Sequence, residues 1–263
     1  MTGALLLPPD PRVAPWGRTA PPAPFVAPVG ERLGEVWFAP PPPLDHLLAK
    51  LLFTSEKLSV QVHPPDRAAP AGERGKDECW LVLAAEPGAR LGVGLVDEVE
   101  QNTLRQAALD GSVEQLLAWH KAQPGDFLYL PAGTIHAIGP GLVLAEIQQA
   151  SDVTYRFYDY GRGRPLHLDA ALGVAIRRPH PAALRRHVAK EADLRLVDGP
   201  HFILDHLGSG GAAIAGPALV MVLAGTLVAG NICAAAGQVL MLQDGALAKA
   251  GADARLLVVR SAA

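Results

Sequence analysis

Charge, cysteine and aromatic side chains are all scarce in this chain of 263 residues. Only 19% of the residues are Asp, Glu, Lys or Arg, whereas roughly 25% is usual for a soluble domain. Leu207 to Gln243 contain no charged residue and no histidine, so this segment must first be tested as a membrane span. Gly210-Gly211, Gly216-Pro217 and Gly237 cut it into pieces shorter than the roughly 20 continuous apolar residues that a spanning helix needs. We therefore expect no membrane contact, and a β-hairpin buried on both faces over residues 218–229.

The two cysteines, Cys79 and Cys233, are too few for a disulfide framework and lie too far apart for a CxxC metal or redox pair. Residues 1–9 contain one short apolar run and no basic region, unlike a secretory signal. Together these features predict a reducing, cytoplasmic location. The 23 basic residues are balanced by 26 acidic ones, so nucleic acid is not an expected partner. Nothing in the sequence indicates an obligate protein partner.

Glycine and proline are abundant, by contrast, at 27 and 24 residues. Each lowers the stability of a helix interior, which argues against a helical bundle. Short apolar runs between them, such as Leu58–His63 with its period of two, are typical of an antiparallel sandwich or a closed barrel. The proline-rich residues 8–43 predict an extended arm with few regular hydrogen bonds of its own. Helices are predicted at Asp45–Phe53, within 97–121, at 167–178 and at 181–190.

One glycine-framed motif occurs twice. Residues Gly125–His136 have the frame G-x5-P-x-G-x2-H, which resembles the second motif of the cupin superfamily, a small jelly-roll barrel with a metal site at its mouth. Residues Gly237–Ala248 keep both glycines in register, but they have glutamine in place of the proline and alanine in place of the histidine. We interpret the pair as two related barrels, of which the second cannot bind a metal at this position.

The predicted fold is therefore mostly β, with two cupin-type jelly-roll barrels and a few short helices that are inserted in them or connect them. Three regions are expected along the chain. Residues 1–165 would form a catalytic, metal-binding cupin domain that carries the proline-rich arm at its N-terminus. Residues 166–193 would form a helical connection, and residues 194–263 a degenerate cupin-like barrel without a metal site.

Four residues form a candidate metal set. Gln61 and His63 lie two apart on a predicted strand, so their side chains project from the same face. Glu78 opens the next predicted strand, and His136 follows the barrel turn. Two neutral imidazoles, one carboxylate and one amide oxygen suit Zn²⁺ or another divalent first-row metal, with a position left open for water. A single histidine is more often a satisfied polar residue, but the four together favour a metal site.

Three multi-residue motifs then point to a family. The segments Leu58–Pro64 (LSVQVHP), Gly75–Trp80 (GKDECW) and Glu146–Tyr160 (EIQQASDVTYRFYDY) resemble, in this order, the signature of type I mannose-6-phosphate isomerases. The agreement in order and spacing extends from about residue 34 to residue 162. Because the chain has no room for the additional helical domain of the larger members, it resembles the compact bacterial form.

This resemblance implies a zinc-dependent isomerase that interconverts mannose 6-phosphate and fructose 6-phosphate through a cis-enediol intermediate. The partner would be a phosphorylated hexose. One Zn²⁺ per chain would be bound by Gln61, His63, Glu78 and His136. The resemblance further implies catalytic roles for Arg156, Glu146 and Lys76, and substrate contacts from Ser59, Lys76, Arg156 and Arg162.

Aldose–ketose isomerisation moves a proton between two neighbouring carbons, so it needs a base and a positive charge for the developing enediolate. Arg156 suits the second task because a guanidinium stays ionised. The identity of the base stays open between Glu146 and Lys76. The lysine would qualify if desolvation lowers its pKa, and it would otherwise anchor the phosphate as a point charge.

Other functions also stay open at this point. Two histidines and one carboxylate form the facial triad of Fe(II) oxygenases, many of which are cupins. A metal-dependent cupin that acts on another sugar, or a sugar-binding cupin without activity, would also carry the barrel motifs. The presence of Lys76 and Arg156 together with the metal set favours an enzyme with an anionic substrate.

Overall fold

The computed structural model describes residues 3–262, so Met1, Thr2 and Ala263, which fall within two of the predicted regions, lie outside the described residues. Strands dominate this part of the chain, and the mostly β fold expected from the sequence is confirmed. No helix in residues 3–262 is long and apolar enough to cross a membrane. The helices are α1 (Gln101–Asp110), α2 (Val113–Leu116) and α3 (Leu168–Val174), with 3₁₀ turns at Asp66–Ala68 and Ala182–Leu184.

Twelve strands lie before residue 160 and ten after it, within the described residues. The first twelve are β1 (Ala4–Leu6), β2 (Asp10–Arg18), β3 (Leu33–Phe38), β4 (Leu47–Phe53), β5 (Val60–Val62), β6 (Glu78–Ala85), β7 (Arg90–Leu95), β8 (Leu117–Lys121), β9 (Asp126–Leu130), β10 (His136–Ile138), β11 (Leu142–Gln149) and β12 (Tyr155–Tyr158). The others are β13 (Arg185–His187), β14 (Leu194–Asp198), β15 (Phe202–Leu207), β16 (Ala213–Ala215), β17 (Ala218–Ala224), β18 (Thr226–Ala229), β19 (Ile232–Ala235), β20 (Val239–Leu242), β21 (Leu247–Ala250) and β22 (Arg255–Ser261).

The strands form four antiparallel sheets. A seven-stranded sheet has the order β13-β9-β6-β11-β4-β3-β2, and a five-stranded sheet has the order β12-β5-β10-β7-β8. In the C-terminal part, a six-stranded sheet has the order β1-β20-β17-β22-β15-β14, and a four-stranded sheet has the order β16-β21-β18-β19. The seven- and five-stranded sheets are built from β2 to β12, and the six- and four-stranded sheets from β14 to β22. The exceptions are β13, which joins the seven-stranded sheet, and β1, which joins the six-stranded sheet.

The hydrophobic cores stack these sheets as layers. Residues such as Trp80 and Leu91 fill the space between the seven- and five-stranded sheets, and α1 and α3 cover the outer face of the latter. The largest core lies between the seven- and six-stranded sheets, where Phe53 packs in one cluster with Met221. Burying a side chain of this size contributes about 1.5–3 kcal/mol. This shared core joins the two halves of the chain.

Two predicted helices are strands in the structure. Residues 47–53 form β4, every residue of which is buried, because both faces of the seven-stranded sheet are covered. A strand buried on both faces is a continuous apolar run, and the leucines in it imitate helical spacing. Residues 181–190 contain a 3₁₀ turn and β13 instead of a helix. Within 97–121 the prediction is correct for α1 and α2, but Leu117–Lys121 form the strand β8. The arm over residues 8–43 is also more regular than expected, because it contains β2 and β3.

The predicted hairpin over residues 218–229 is wrong. β17 pairs with β20 and β22, whereas β18 pairs with β19 and β21. Gly225 separates them with φ 66°, a left-handed conformation that redirects the chain from one sheet to the next. The second strand is also buried on one face only, since Thr226 and Val228 are exposed.

The two copies of the glycine-framed motif have matching structures. Gly125 and Gly237 precede β9 and β20, and in each copy the chain then crosses to the facing sheet at β10 or β21. His136 opens β10, whereas Ala248 lies on β21 in the apolar core of the C-terminal half. The copies support the interpretation of a repeat, while the three-region division stays a prediction. One difference from it is that β1, from the first predicted region, pairs with β20 of the third.

Candidate metal centre and active-site cleft

The candidate metal set is brought together by two facing sheets. His63 directly follows β5 and His136 opens β10 in the five-stranded sheet, while Glu78 opens β6 in the seven-stranded sheet. One donor atom from each of the three lies within 4.8 Å of the others, and all three are buried. The backbone N–H of Gly133, in the turn before β10, donates to the His63 carbonyl at 2.8 Å. This bond holds the turn that leads to His136 against the backbone of His63.

Both histidines present Nε2 to Glu78. The Nδ1 atoms donate to backbone carbonyls, His63 to Val153 at 2.8 Å and His136 to Thr134 at 2.9 Å. Nε2 lies 3.4 Å from Glu78 Oε2 in His63 and 3.3 Å from Oε1 in His136. Burial lowers the pKa of His63 well below its ordinary value and lowers the pKa of His136 to about 4. Both rings are therefore neutral near pH 7, the form that binds metals.

The donor set fits a divalent cation. His63 Nε2 and both Glu78 carboxylate oxygens are fully buried without a hydrogen-bond partner among the described residues. Leaving such groups unsatisfied costs about 1–3 kcal/mol each, and a bound cation would satisfy all of them at once. Burial also raises the pKa of Glu78, an effect that a neighbouring cation reverses.

Gln61, the fourth predicted ligand, lies next to the three. Its Nε2 is 3.2 Å from His136 Nε2, and its Oε1 accepts a hydrogen bond from Ser59 Oγ at 2.9 Å. The amide therefore turns its nitrogen toward the set, and binding a metal through the oxygen requires a 180° rotation of the amide. Ser59 is buried and contacts Gln61, so it supports a predicted ligand.

A cleft of about 340 Å³ opens beside the metal set. Lys50, Lys76, Arg156 and Arg164 line it, and so do the carboxylates Glu35, Glu78, Glu146 and Asp152. Ser59, Gln61 and Trp80 also reach it. Six of the nine predicted site residues line the cleft, namely Ser59, Gln61, Lys76, Glu78, Glu146 and Arg156. His63 and His136 lie behind them, each in contact with Glu78.

Glu146 is an ionised carboxylate in a cationic environment. Burial alone would raise its pKa, but Lys50 and Lys76 outweigh this and lower it. Its Oε1 lies 3.4 Å from Lys50 Nζ, and its Oε2 accepts a hydrogen bond from the Trp80 indole at 2.9 Å. A general base must be unprotonated, so Glu146 is in the correct state.

Lys76 is held in the opposite state. Burial alone would lower its pKa, but Glu78 and Glu146 outweigh burial and raise it. Its Nζ lies 3.4 Å from Glu78 Oε2. The condition under which Lys76 would act as a base, a pKa lowered by desolvation, is therefore not met.

The two predicted arginines lie in different places. Arg156 lines the cleft, and its Nε is buried without a hydrogen-bond partner among residues 3–262. Arg162 does not line the cleft, and it pairs with Glu56 at 3.2 Å and Asp159 at 3.5 Å in an adjoining groove of about 700 Å³. Arg164 lines both cavities and binds Asp159 through two nitrogens, at 2.7 and 2.5 Å.

Lys50, Trp80 and Arg164 are the site residues that sequence reasoning missed, and of these Trp80 lies unassigned within the Gly75–Trp80 motif. Lys50 is a single charged residue within the apolar run of β4, and this isolation was a usable signal. Interpreting the run as a helix hid its consequence, because only the strand register places Lys50 directly opposite Glu146. No comparable signal marked Arg164, which follows a glycine-rich loop.

Replacing Glu78 by glutamine is expected to lower the metal content well below one ion per chain. The change keeps the volume of the side chain and removes the negative charge between the two histidines. Metal analysis of protein purified without added zinc measures the effect, with Glu35→Gln, three strands away in the same sheet, as the control. Full metal content in the Glu78 variant would contradict this ligand set.

Comparison with known proteins gives one consistent result. The chain is 43% identical over 136 residues to mannose-6-phosphate isomerase of Streptococcus mutans, an alignment that covers 49% of this chain and 43% of that protein. It is 42% identical over 139 residues to mannose-6-phosphate isomerase ManA of Bacillus subtilis, again over 49% of this chain and 43% of that protein. The matches thus span less than half the length of these relatives. No family model matches the chain.

Solved structures extend the similarity to the whole fold. The mannose 6-phosphate isomerase structure from Bacillus subtilis superposes with a TM-score of 0.79 at 26% identity, covering 98% of this chain and 99% of that one. A phosphomannose isomerase variant from Salmonella typhimurium gives a TM-score of 0.75 at 15% identity, over 98% and 100% of the two chains, which shows the fold alone. The resemblance to type I mannose-6-phosphate isomerases is confirmed.

Proposed function

We propose that this protein is a metal-dependent isomerase that interconverts mannose 6-phosphate and fructose 6-phosphate. The observation that carries the proposal is the buried His63–Glu78–His136 set at a cleft that also holds Glu146 and Arg156. The similarity to mannose-6-phosphate isomerases supports the substrate, and Arg156, whose buried Nε has no hydrogen-bond partner among the described residues, offers a cation in the cleft to a phosphorylated sugar. The cytoplasmic location stays a prediction.

The chain's own residues supply the proton transfer. Glu146 would take the proton from C2 of the open-chain aldose and return it to C1, while the C1 oxygen gains a proton and the C2 hydroxyl loses one. The intermediate is the cis-enediol predicted from the resemblance. Arg156 would stabilise the negative charge that develops on the two oxygens, because its guanidinium stays ionised and has unused donors.

The remaining roles follow from charge and position. Lys76, as an ammonium, would bind substrate oxygens and cannot act as the base. Zn²⁺, when bound by Gln61, His63, Glu78 and His136, would act as a Lewis acid that polarises or orients substrate oxygens. A direct substrate contact from Ser59 or Arg162 has less support, since Ser59 bonds Gln61 and Arg162 lies in the adjoining groove.

A coupled assay that converts fructose 6-phosphate to a detectable product tests the proposal. With mannose 6-phosphate as substrate, we expect turnover that is lost after chelation and restored by zinc. No turnover by fully zinc-loaded protein would refute the proposal.

An oxygen-uptake measurement on iron-loaded protein tests the competing Fe(II) oxygenase, which the set of two histidines and one carboxylate also fits. Oxygen consumption with a sugar substrate and no isomerisation would favour that alternative. Binding of the sugar phosphate without any turnover would favour a sugar-binding protein.

A further inference from the structure

Trp80 contacts both the proposed base and the metal set. Its indole N–H donates to Glu146 Oε2 at 2.9 Å, and its ring meets the His136 imidazole edge-on, with centroids 5.3 Å apart and planes at 83°. The side chain is buried. It lies two residues after Glu78 on β6, and the register between β6 and β11 places it directly opposite Glu146. One side chain therefore spans the two functional groups.

The indole hydrogen bond fixes the orientation of the carboxylate. The last torsion of a glutamate side chain is broad and nearly two-fold, so an unrestrained carboxylate can present either oxygen. Here Oε2 is held by Trp80, whereas Oε1 has no hydrogen-bond partner among the described residues and lies 3.4 Å from Lys50 Nζ. Because donor and acceptor are both buried, breaking this bond is costly. Oε1 is thus the oxygen that Trp80 does not hold, and its nearest cation is Lys50, which lines the same cleft.

We infer that Trp80 is a positioning residue that fixes the Glu146 carboxylate through Oε2, so that Oε1 is the oxygen that takes the substrate proton. The inference rests on the proposed function, in which Glu146 is the base. Trp80 also packs in the core beside Leu128 and Leu144, and a purely structural role would need only its volume. The positioning role needs the N–H, and this difference makes the two roles separable.

Trp80→Phe tests the role because it keeps an aromatic ring and removes the donor. We expect kcat for mannose 6-phosphate to fall about 10- to 100-fold, since a small misplacement of a catalytic group has effects of this size. KM and metal content should change less than about twofold. The primary isotope effect on kcat with mannose 6-phosphate deuterated at C2 should rise, because proton abstraction becomes slower.

Trp119→Phe is the matched control. This indole also donates a hydrogen bond of 2.9 Å, to the Glu114 carbonyl, but it lies on β8 away from the cleft. We expect its kcat and isotope effect to equal those of the wild type. A structural loss of the indole would lower thermal stability in both variants without raising the isotope effect.

The possible outcomes distinguish failure of the positioning role of Trp80 from failure of the proposed isomerase function. Absence of turnover in the zinc-loaded wild type refutes the proposed function and, with it, the role of Trp80. An active wild type with an unchanged kcat and isotope effect in Trp80→Phe refutes the positioning role alone, and so does a loss of activity that merely follows metal loss. If Trp80→Phe does not fold, Trp80→Leu provides the same test, because leucine also lacks a donor, and failure of both to fold would assign Trp80 to the core only.

Discussion

Alanine in place of Arg156 is expected to lower kcat roughly 1,000-fold, the upper range for removing a donor that stabilises developing charge. The metal content should stay near that of the wild type. Arg156 pairs with Gln61 only through the strand register of β12 and β5, and its guanidinium holds none of the three buried metal-set residues. Steady-state kinetics together with metal analysis measures both quantities. Loss of metal along with activity would mean that Arg156 is structural.

Arg162→Ala is the matched control for Arg156. This arginine lies close in sequence and is also partly buried, but its partners are Glu56 and Asp159 in the adjoining groove. We expect less than a tenfold change in kcat/KM. An effect as large as that of Arg156 would instead extend the substrate site into that groove and restore the role that the sequence implied for Arg162.

The grouping of His63, Glu78 and His136 could be predicted from sequence because each residue carries a local signal, although Gln61 and His136 lie 75 positions apart. Gln61 and His63 share a strand face by alternation, and Glu78 and His136 each open a strand next to a recognisable turn. The repeat was likewise predicted from a local pattern, the glycine frame. In the structure φ of Gly125 and Gly237 is 95° and 84°, a left-handed backbone that favours glycine.

The position of Lys50 opposite Glu146 could not be predicted in the same way. Its position depends on the pairing of β4 with β11, residues almost a hundred positions apart, and pairing register is not encoded in local periodicity. A run of leucines around one lysine looks like a helix until both sheet faces are known to be covered. The prediction of a hairpin over residues 218–229 was wrong for a related reason. After a single glycine such as Gly225, the next strand can pair with the preceding one or cross to the facing sheet, and local sequence does not distinguish the two.

Methionine in place of Lys50 is expected to destabilise the protein by about 3 kcal/mol at neutral pH, because breaking a buried ion pair leaves an uncompensated charge. Lys50 is almost fully buried, and its Nζ lies 3.4 Å from Glu146 Oε1, 3.9 Å from Glu35 Oε2 and 4.3 Å from the centroid of the Trp37 ring. For a chain of this size the loss corresponds to a Tm lower by roughly 6–12 °C. Thermal unfolding followed by circular dichroism measures it.

Lys57→Met supplies the comparison, because Lys57 also pairs with a glutamate, Glu114, but on the protein surface. Exposed pairs contribute about 0–1 kcal/mol, so its Tm should change by no more than roughly 4 °C. Equal effects of the two variants would contradict the buried pair.

The destabilisation by Lys50→Met should depend on pH in a direction that Glu146 sets. Lys50 and Lys76 lower the pKa of Glu146 in the folded protein, so the stability gained from this carboxylate is present above its unfolded pKa and is lost as the pH falls through the folded value. Removing Lys50 raises that folded pKa and removes part of the gain. The difference in Tm between wild type and variant should therefore be largest at neutral pH and should shrink in acid, where Glu146 is protonated in both. A difference that stays constant down to low pH would mean that Lys50 stabilises the fold through packing against Trp37 and not through Glu146.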